Sequence, residues 1–427
     1  MNVAVVGATG LIGSAVCARL ADQGHHVRGL VRRKDSKNFA CAQIVVVDMS
    51  EASQAEWIGA LEGIDAVVNC VGALQDGAAE DVSSVHVKGA STLFAACAAS
   101  GIKRVIHFSA IGVERAQPSE FSATKLAGDE ALMASEVDWV ILRPSVVLGA
   151  PVFGASALIR GLAALPWLPS MPNTAALQPV QLEDVVSTVV YFLRDESPSR
   201  VVLDLPGPET FSMDELVTMH RTWMGWPAAV HFAIPPWLAT WLYRLGDLAG
   251  ALGWRPPVRS NAEKEMHRGA TGNPAPWTAA TGIVPTGLDA ALRLRPATVQ
   301  DRWFAGIYFV KPLIFAVLPF FWIMTGIISL TIGWDSGVEL LVVAGAGALS
   351  GPSVIVGAFA DMIVGGLIAW RRTARLGLLS ALALSGFYGI AGTILRPDLW
   401  AEPLGPLMKI LPIMLLHLVA LAILKER

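Results

Sequence analysis

The first thirteen residues, MNVAVVGATGLIG, send an apolar strand straight into a turn with glycine at positions 7, 10 and 13. The β-branched run Val3 to Val6 reads as a buried strand, and a helix begins near Leu11. Gly7 and Gly10 let the backbone turn tightly and approach a pyrophosphate, whose charge rests on the amino end of that helix, while Gly13 lets the helix pack against the strand. Thr9, Leu11 and Ile12 complete the loop around the same phosphate position. A glycine pattern alone also fits a surface turn; strand, turn and helix in this order favour a dinucleotide site. The strand starts almost at the initiator Met, so no targeting peptide is expected.

At 427 residues the chain has room for two or three domains of about 150 residues each. Charged residues make up 16% of it, against about 25% in soluble proteins, so part of the chain is expected in lipid. A net charge of −3 carries no nucleic-acid signature. Cys17, Cys41, Cys70 and Cys97 lie in predicted helix or strand without metal-ligand spacing. They read as reduced, packed thiols, and no metal site is expected.

Further strand patterns fall at Val27 to Val31, Ile44 to Val47, Ala66 to Asn69, Val105 to Phe108 and Trp139 to Leu142, with helical stretches between them. Such alternation specifies an α/β fold with a doubly wound, parallel, Rossmann-like sheet. At the end of the second strand, about twenty residues past the glycines, a carboxylate would bond the ribose of NAD. Here stand Arg32, Arg33 and Lys34. Cations at this point suit a 2′-phosphate, so NADP(H) is expected over NAD(H); a solvated basic loop is the alternative. Asp48 and Met49 follow the third strand, where an adenine would lie. Asn69, Val71 and Gly72 follow the fourth, under the rest of the cofactor.

The glycine turn, with HVKGASTLFAACAASGIKRVIHFSAIG at 86–112, FSATKLAGDE at 121–130, ILRPSVVLG at 141–149 and QPVQLEDV at 178–185, resembles the short-chain dehydrogenase/reductase superfamily. Within it, the closer likeness is to the atypical branch that holds the nucleotide-binding accessory subunit of respiratory complex I and epimerase-like NAD(P)-binding proteins. The resemblance implies three catalytic groups: a Ser or Thr on the substrate carbonyl, a Tyr that moves the proton, and a Lys four residues on. That Lys lowers the Tyr pKa and holds the ribose. Ser109 and Lys125 match two of them, but the residue four before Lys125 is Phe121. Phenylalanine neither ionises nor donates a proton. Tyr191, Tyr243, Tyr308 and Tyr388, the chain's tyrosines, all lie beyond residue 150. Two readings follow. In one, the chain is an oxidoreductase or isomerase in which Lys125, Ser109 or water supplies the proton. In the other it is a scaffold or redox sensor that binds NADP(H) without ordinary turnover.

The resemblance also sets Pro144, in Arg143-Pro144-Ser145 at the end of the sixth strand, beside the cofactor where the substrate region opens. Glu183-Asp184, just after Gln178-Pro179, falls at a predicted helix start. Beyond residue 205 the pattern turns helical. At 235–254, PPWLATWLYRLGDLAGALGW puts Trp237, Trp241, Leu245, Leu248 and Leu252 on one stripe. That stripe fits a membrane-interface helix, a lid over an apolar pocket, or a plain core helix.

Pro312 to Gly333 and Leu376 to Leu395 carry no charge, Leu340 to Trp370 carries only Asp361, and Leu404 to Leu424 only Lys409. About 20 apolar residues cross a bilayer, so four spans are expected, near 309–333, 350–370, 376–395 and 404–424. The overlong second run is expected to break at Gly351-Pro352. Arg293, Arg295 and Arg302 precede the first span, Arg371, Arg372 and Arg375 fill the turn between spans two and three, and Lys425 and Arg427 end the chain. The positive-inside rule then sets both termini in the cytoplasm of a bacterial-type inner membrane. This half resembles the DoxX-like four-helix membrane family. Asp361 and His417 stand at one depth, which leaves two arrangements: a pair between them, or Asp361 bonded to nearby Ser or Gly backbone in the bundle.

The expected organisation is therefore a nucleotide-binding domain at 1–205, a helical substrate region and candidate membrane-interface segment at 206–300, and a DoxX-like transmembrane domain at 301–427. The expected partners are the lipid bilayer and an apolar substrate or a membrane protein complex, with no nucleic acid.

Overall fold

The computed structural model describes residues 1–33, 40–72, 82–116, 118–254, 256–403 and 405–424. Lys34, Leu404, Lys425 and Arg427 lie outside the described residues. The chain forms two compact units: Met1–Leu248 with Pro256–Ala305, and Ala249–Arg255 with Gly306–Arg427.

In the first unit the strands are β1 (Asn2–Val6), β2 (His26–Val31), β3 (Gln43–Val46), β4 (Ala66–Asn69), β5 (Arg104–Phe108), β6 (Trp139–Pro144), β7 (Val147–Leu148), β8 (Trp167–Ser170), β9 (Val180–Gln181), β10 (Val201–Leu205) and β11 (Val230–Ala233). Seven of them form one parallel sheet in the order β10-β6-β5-β4-β1-β2-β3. β7 pairs with β9, and β8 with β11. β10 extends the expected six-strand sheet: Val201 to Leu205 line up with Val140 to Pro144 of β6.

Helices cover both faces, which is why Val3 to Val6 of β1, all of β4 and all of β6 are buried residue after residue rather than alternately. Along the chain these are α1 (Leu11–Asp22), α2 (Gln54–Ala60), a π-helical stretch Ser84–Gly89 that runs into α3 (Ala90–Ala99), α4 (Glu120–Met133), α5 (Ala155–Ala163), α6 (Leu182–Phe192) and α7 (Met213–Trp223). Val3 and Val5 pack with Val16 and Leu20 of α1 and Val185 and Val189 of α6. Ala4 and Val6, on the other face, meet Trp57 of α2 and Leu93 and Phe94 of α3. Each large side chain so buried stabilises the sheet by about 1.5–3 kcal/mol. Further helices follow: α8 (Pro236–Ala251), α9 (Ser260–Arg268), α10 (Ala275–Thr281), α11 (Leu288–Leu294) and α12 (Val299–Tyr308).

The second unit holds α13 (Val310–Leu330), α14 (Trp334–Val343), α15 (Ser350–Ala369), α16 (Ala374–Leu395) and α17 (Ile410–Ile423). Among the described residues α13, α16 and the helical run Gly347–Ala369 are long and apolar enough to cross a membrane. Small residues set the packing of α13 on α15, since a Cβ on Gly326 would lie 2.4 Å from the Ala358 carbonyl oxygen.

Three expectations are corrected here. The second run breaks at Gly345 and Gly347, whose φ of 89° and 53° end α14, and not at Gly351-Pro352. Pro352 lies in the first turn of α15, where its missing N–H costs nothing. The fourth helix is the 14-residue Ile410–Ile423 rather than 404–424. Gly405, with φ 53°, opens a turn that runs to Lys409 before the helix begins. At about 1.5 Å per residue it is shorter than a hydrocarbon core of about 30 Å. Finally, Asp361 and His417 do not pair. Tyr388 donates to Asp361 Oδ1 at 3.0 Å, and Trp322 Nε1 donates to His417 Nε2 at 2.9 Å. α17 packs on α13 and α16, and α15 finds its polar partner on α16.

Candidate functional site

The strand order reverses on either side of β1, and in such sheets ligands bind in the crevice at the carboxyl ends of the strands. Gly7 leaves β1 there with φ 77°, a left-handed conformation that favours glycine. Its carbonyl oxygen accepts from Gly10 N at 2.9 Å and would lie 2.2 Å from a Cβ on Gly13. So Gly13 is what lets α1 close on the turn. Gly10 caps α1 with no side-chain bond, leaving the amino end of a 12-residue helix for an anion. Thr9, Leu11 and Ile12, all half-buried, border this cradle, and its shape fits a pyrophosphate.

At the ends of β4 and β5 a second group of residues meets. Asn69 is fully buried; its Oδ1 accepts from Val71 N at 3.1 Å and its Nδ2 donates to His107 Nδ1 at 3.0 Å. Lys125 Nζ donates to the carbonyls of Val71 at 3.0 Å and Phe108 at 2.8 Å, beside Gly72. Only 3% of Lys125 is exposed, and burial lowers its pKa to about 8.

One helical turn beyond Lys125 is Asp129, also fully buried. Its Oδ2 accepts from Ser109 Oγ at 2.9 Å and from Arg143 Nε and a terminal guanidinium nitrogen at 3.1 and 2.9 Å. Arg143 also reaches Glu114 at 2.7 Å. Burial raises the Asp129 carboxyl, and the Arg143 charge opposes the rise. Asp129 Oδ1 and His107 Nε2 face each other at 3.6 Å with no hydrogen-bond partner among the described residues. The Asn69 bond to Nδ1 puts the imidazole proton on Nε2, pointing at that carboxylate.

Phe121 stands where the resemblance requires tyrosine. Its ring lies edge-on to His86 at 5.7 Å, and His86 Nδ1 bonds Thr124 Oγ1 at 3.0 Å. Burial, with the Lys125 charge, lowers the His86 pKa to about 2. Ser119 caps α4 by accepting from Ser122 N at 3.1 Å, and both hydroxyls bond Glu265 of α9, which fixes the start of the helix that carries Phe121, Lys125 and Asp129.

Other expected residues lie around this centre. Arg32 and Arg33 follow β2, one half-buried and one exposed. Asp48 Oδ1 accepts from Ser50 N at 3.0 Å and Ser50 Oγ at 2.7 Å, and Met49 is buried with its carbonyl against Gly89. Pro144 ends β6, buried. Sequence reasoning missed Asp129, His107, His86 and Arg143 as a group. The signal for Asp129 was its place four residues after Lys125, on the same face of a helix.

Residues 7–158 match the family described as NAD(P)H-binding, and residues 319–418 match the DoxX-like family. The chain joins an NAD(P)-binding Rossmann domain to a DoxX-like membrane domain. Among curated relatives it is 27% identical over 195 residues to ceramide reductase of Caulobacter vibrioides, covering 45% of this chain and 61% of that protein. It is 27% identical over 222 residues to the mitochondrial NADH-ubiquinone oxidoreductase 40 kDa subunit of Neurospora crassa, covering 50% of this chain and 58% of that subunit. The chain thus spans about three-fifths of the length of either relative. The first unit also has the fold of the Bordetella bronchiseptica enzyme WbmG, solved in complex with NAD, at a TM-score of 0.55 and 15% identity over 72% of this chain and 96% of that one.

Proposed function

We propose that this chain is a membrane-bound oxidoreductase of the short-chain dehydrogenase/reductase type that prefers NADP(H) to NAD(H) and acts on an apolar, membrane-soluble substrate such as a quinone, lipid or terpenoid. The observation that carries this reading is Lys125: a buried ammonium with a pKa near 8, held on two carbonyls at the carboxyl ends of β4 and β5. A desolvated lysine of that pKa is a proton donor at neutral pH, the service that Phe121 cannot provide. NADP(H), when bound, would supply or take the hydride. Gly7, Thr9, Gly10, Leu11, Ile12 and Gly13 would hold its pyrophosphate, Arg32 and Arg33 its 2′-phosphate, and Asp48 and Met49 its adenine. Asn69, Val71, Gly72, Lys125 and Pro144 would line the remainder, with Ser109 toward the substrate. The likeness to a ceramide reductase supports a lipid-like substrate. Arginines at 293, 295, 302, 371, 372 and 375 support a cytoplasmic nucleotide domain and amino terminus in a bacterial-type inner membrane.

The test is NADPH oxidation by the full chain in lipid nanodiscs supplied with short-chain quinones or a bacterial lipid extract. Turnover that Lys125→Met abolishes while NADPH still binds supports the reading. Absence of turnover with every apolar acceptor overturns it.

A second reading rests on a different observation. The Ser109 hydroxyl is committed to Asp129, and Phe121 has none to give. That arrangement suits a scaffold or redox sensor that holds NADP(H) beside a membrane complex, in line with the likeness to an NADH-ubiquinone oxidoreductase subunit.

A further inference from the structure

Helix α8 is built with its large apolar side chains outward. Its buried face is Ala239, Tyr243, Gly246 and Gly250. Gly246 sits so close to the chain at Val258 that a Cβ would lie 1.8 Å from that carbonyl oxygen. On the opposite face, Trp237, Trp241, Leu245 and Leu248 are 66%, 58%, 54% and 61% exposed. At 100° per residue the two faces are nearly diametric, with Thr240 and Arg244 along one edge of the apolar stripe. A water-facing helix would place these residues the other way round. β11, the strand leading into α8, repeats the pattern: Val230 and Phe232 are exposed, and so is Trp167, the partner of Val230 on β8.

What covers the stripe follows from where the helix ends. α8 stops at Ala251, and the next residues are held by the membrane unit. Arg371 N donates to the Leu252 carbonyl at 3.1 Å, and Trp254 Nε1 donates to the Ala369 carbonyl at 2.9 Å. The Trp254 ring also lies 4.6 Å from that of Phe315 and 5.4 Å from the Arg371 guanidinium. Ala369 is the last residue of α15, which lies in a helical run long enough to span, and Arg371 sits in the turn just after it. The segment that continues α8 is therefore fixed at the carboxyl end of α15, beside Arg371.

We propose that α8 lies in the membrane interface, with Trp237, Trp241, Leu245 and Leu248 seated among lipid headgroups and upper acyl chains. Tryptophan concentrates at that depth, and an apolar helix face enters it by about 5–10 Å. Arg244 lies at the stripe's edge, where its long stem crosses apolar surface while the guanidinium reaches phosphate. This surface is independent of any chemistry at Lys125.

Because the spanning helices keep every variant in the bilayer, the test must read the local environment of α8. An environment-sensitive fluorescent amino acid is placed at position 241 of the full chain, at 248 in a second protein and at the exposed Asp22 in a third, each in phosphatidylcholine–phosphatidylglycerol nanodiscs. The expected result is emission at shorter wavelength from 241 and 248 than from 22. Quenching by nitroxide-labelled lipid should be several-fold stronger there, and strongest for a nitroxide near the headgroup. Water-like emission at 241 and 248, with quenching no greater than at 22, would overturn the proposal. So would quenching by a nitroxide on a second copy of the chain in place of lipid, which would assign the face to a dimer.

Discussion

Ser109 donates its hydroxyl to Asp129 Oδ2 at 2.9 Å, and the same oxygen takes two bonds from Arg143. The residue expected to meet a substrate carbonyl is thus tied to a buried ion pair. A ligand carbonyl would have to draw the hydroxyl off that carboxylate.

Asp129→Asn preserves shape but takes from the buried Arg143 charge its buried carboxylate partner, leaving Glu114 and the more distant Asp204. Removing one partner of a buried ion pair costs about 3–5 kcal/mol. Ser109→Ala removes one hydrogen bond and costs about 1 kcal/mol. Melting of the detergent-solubilised chain should fall clearly for the first variant and slightly for the second; equal, negligible falls would contradict the network.

Phe121→Tyr restores a phenol one turn before Lys125. If hydride transfer is limited by proton supply, NADPH oxidation should rise about 10²-fold, the usual worth of a positioned acid. A variant that binds NADPH as before and oxidises none favours the scaffold reading.

Arg32 and Arg33 are the described residues of the cationic run after β2. Replacing both by Glu should weaken NADPH relative to NADH by tenfold or more, about 1.4 kcal/mol per tenfold. An unchanged ratio would move the basis of cofactor choice elsewhere.

Buried histidines set the response to acid. The pKa of His86 is lowered to about 2 and that of His107 falls well below its ordinary value, in both cases mainly by burial. An unfolded histidine binds a proton near pH 6.5 while these folded ones do not. The unfolded state therefore holds more protons below that pH, and stability is lost as pH falls through 6.5. Each such histidine steepens the loss by about 1.4 kcal/mol per pH unit. Denaturant midpoints between pH 7 and 5 should show it, and His86→Gln should flatten the slope; an equal slope in the variant would contradict the assignment.

Strand positions were legible because period and flanking glycines report local backbone, and Val3 to Val6 pack as expected. β10 was not, because Val201 to Leu205 follows a helix and its partner on β6 is far away in sequence. Ser109 and Lys125 came from the resemblance carried by words such as GATGLIG and FSATKLAGDE, and the fold brings both to the carboxyl end of β5. The Asn69–His107–Asp129–Arg143 cluster was not legible, since three strand ends and a helix bring it together. In the membrane unit, the uncharged runs marked helices long enough to span, but matching depth could not tell which neighbour a buried polar group would choose.

Those partners are separable by coupling. Trp322→Phe with His417→Ala, and Tyr388→Phe with Asp361→Asn, should each be non-additive in melting, with coupling of about 0.6 kcal/mol, typical of hydrogen bonds within membranes. His417→Ala with Asp361→Asn should be additive. Coupling between the last two would restore the pairing that the structure contradicts.

In the proposed function the glycine turn at Gly7, Gly10 and Gly13 holds a dinucleotide, and Arg32 and Arg33 select its 2′-phosphate. Isothermal calorimetry of the full chain in nanodiscs, titrated with NADPH and then NADH, tests it most directly. Saturable binding of both, with NADPH the tighter, is the predicted result; no binding of either would contradict the account.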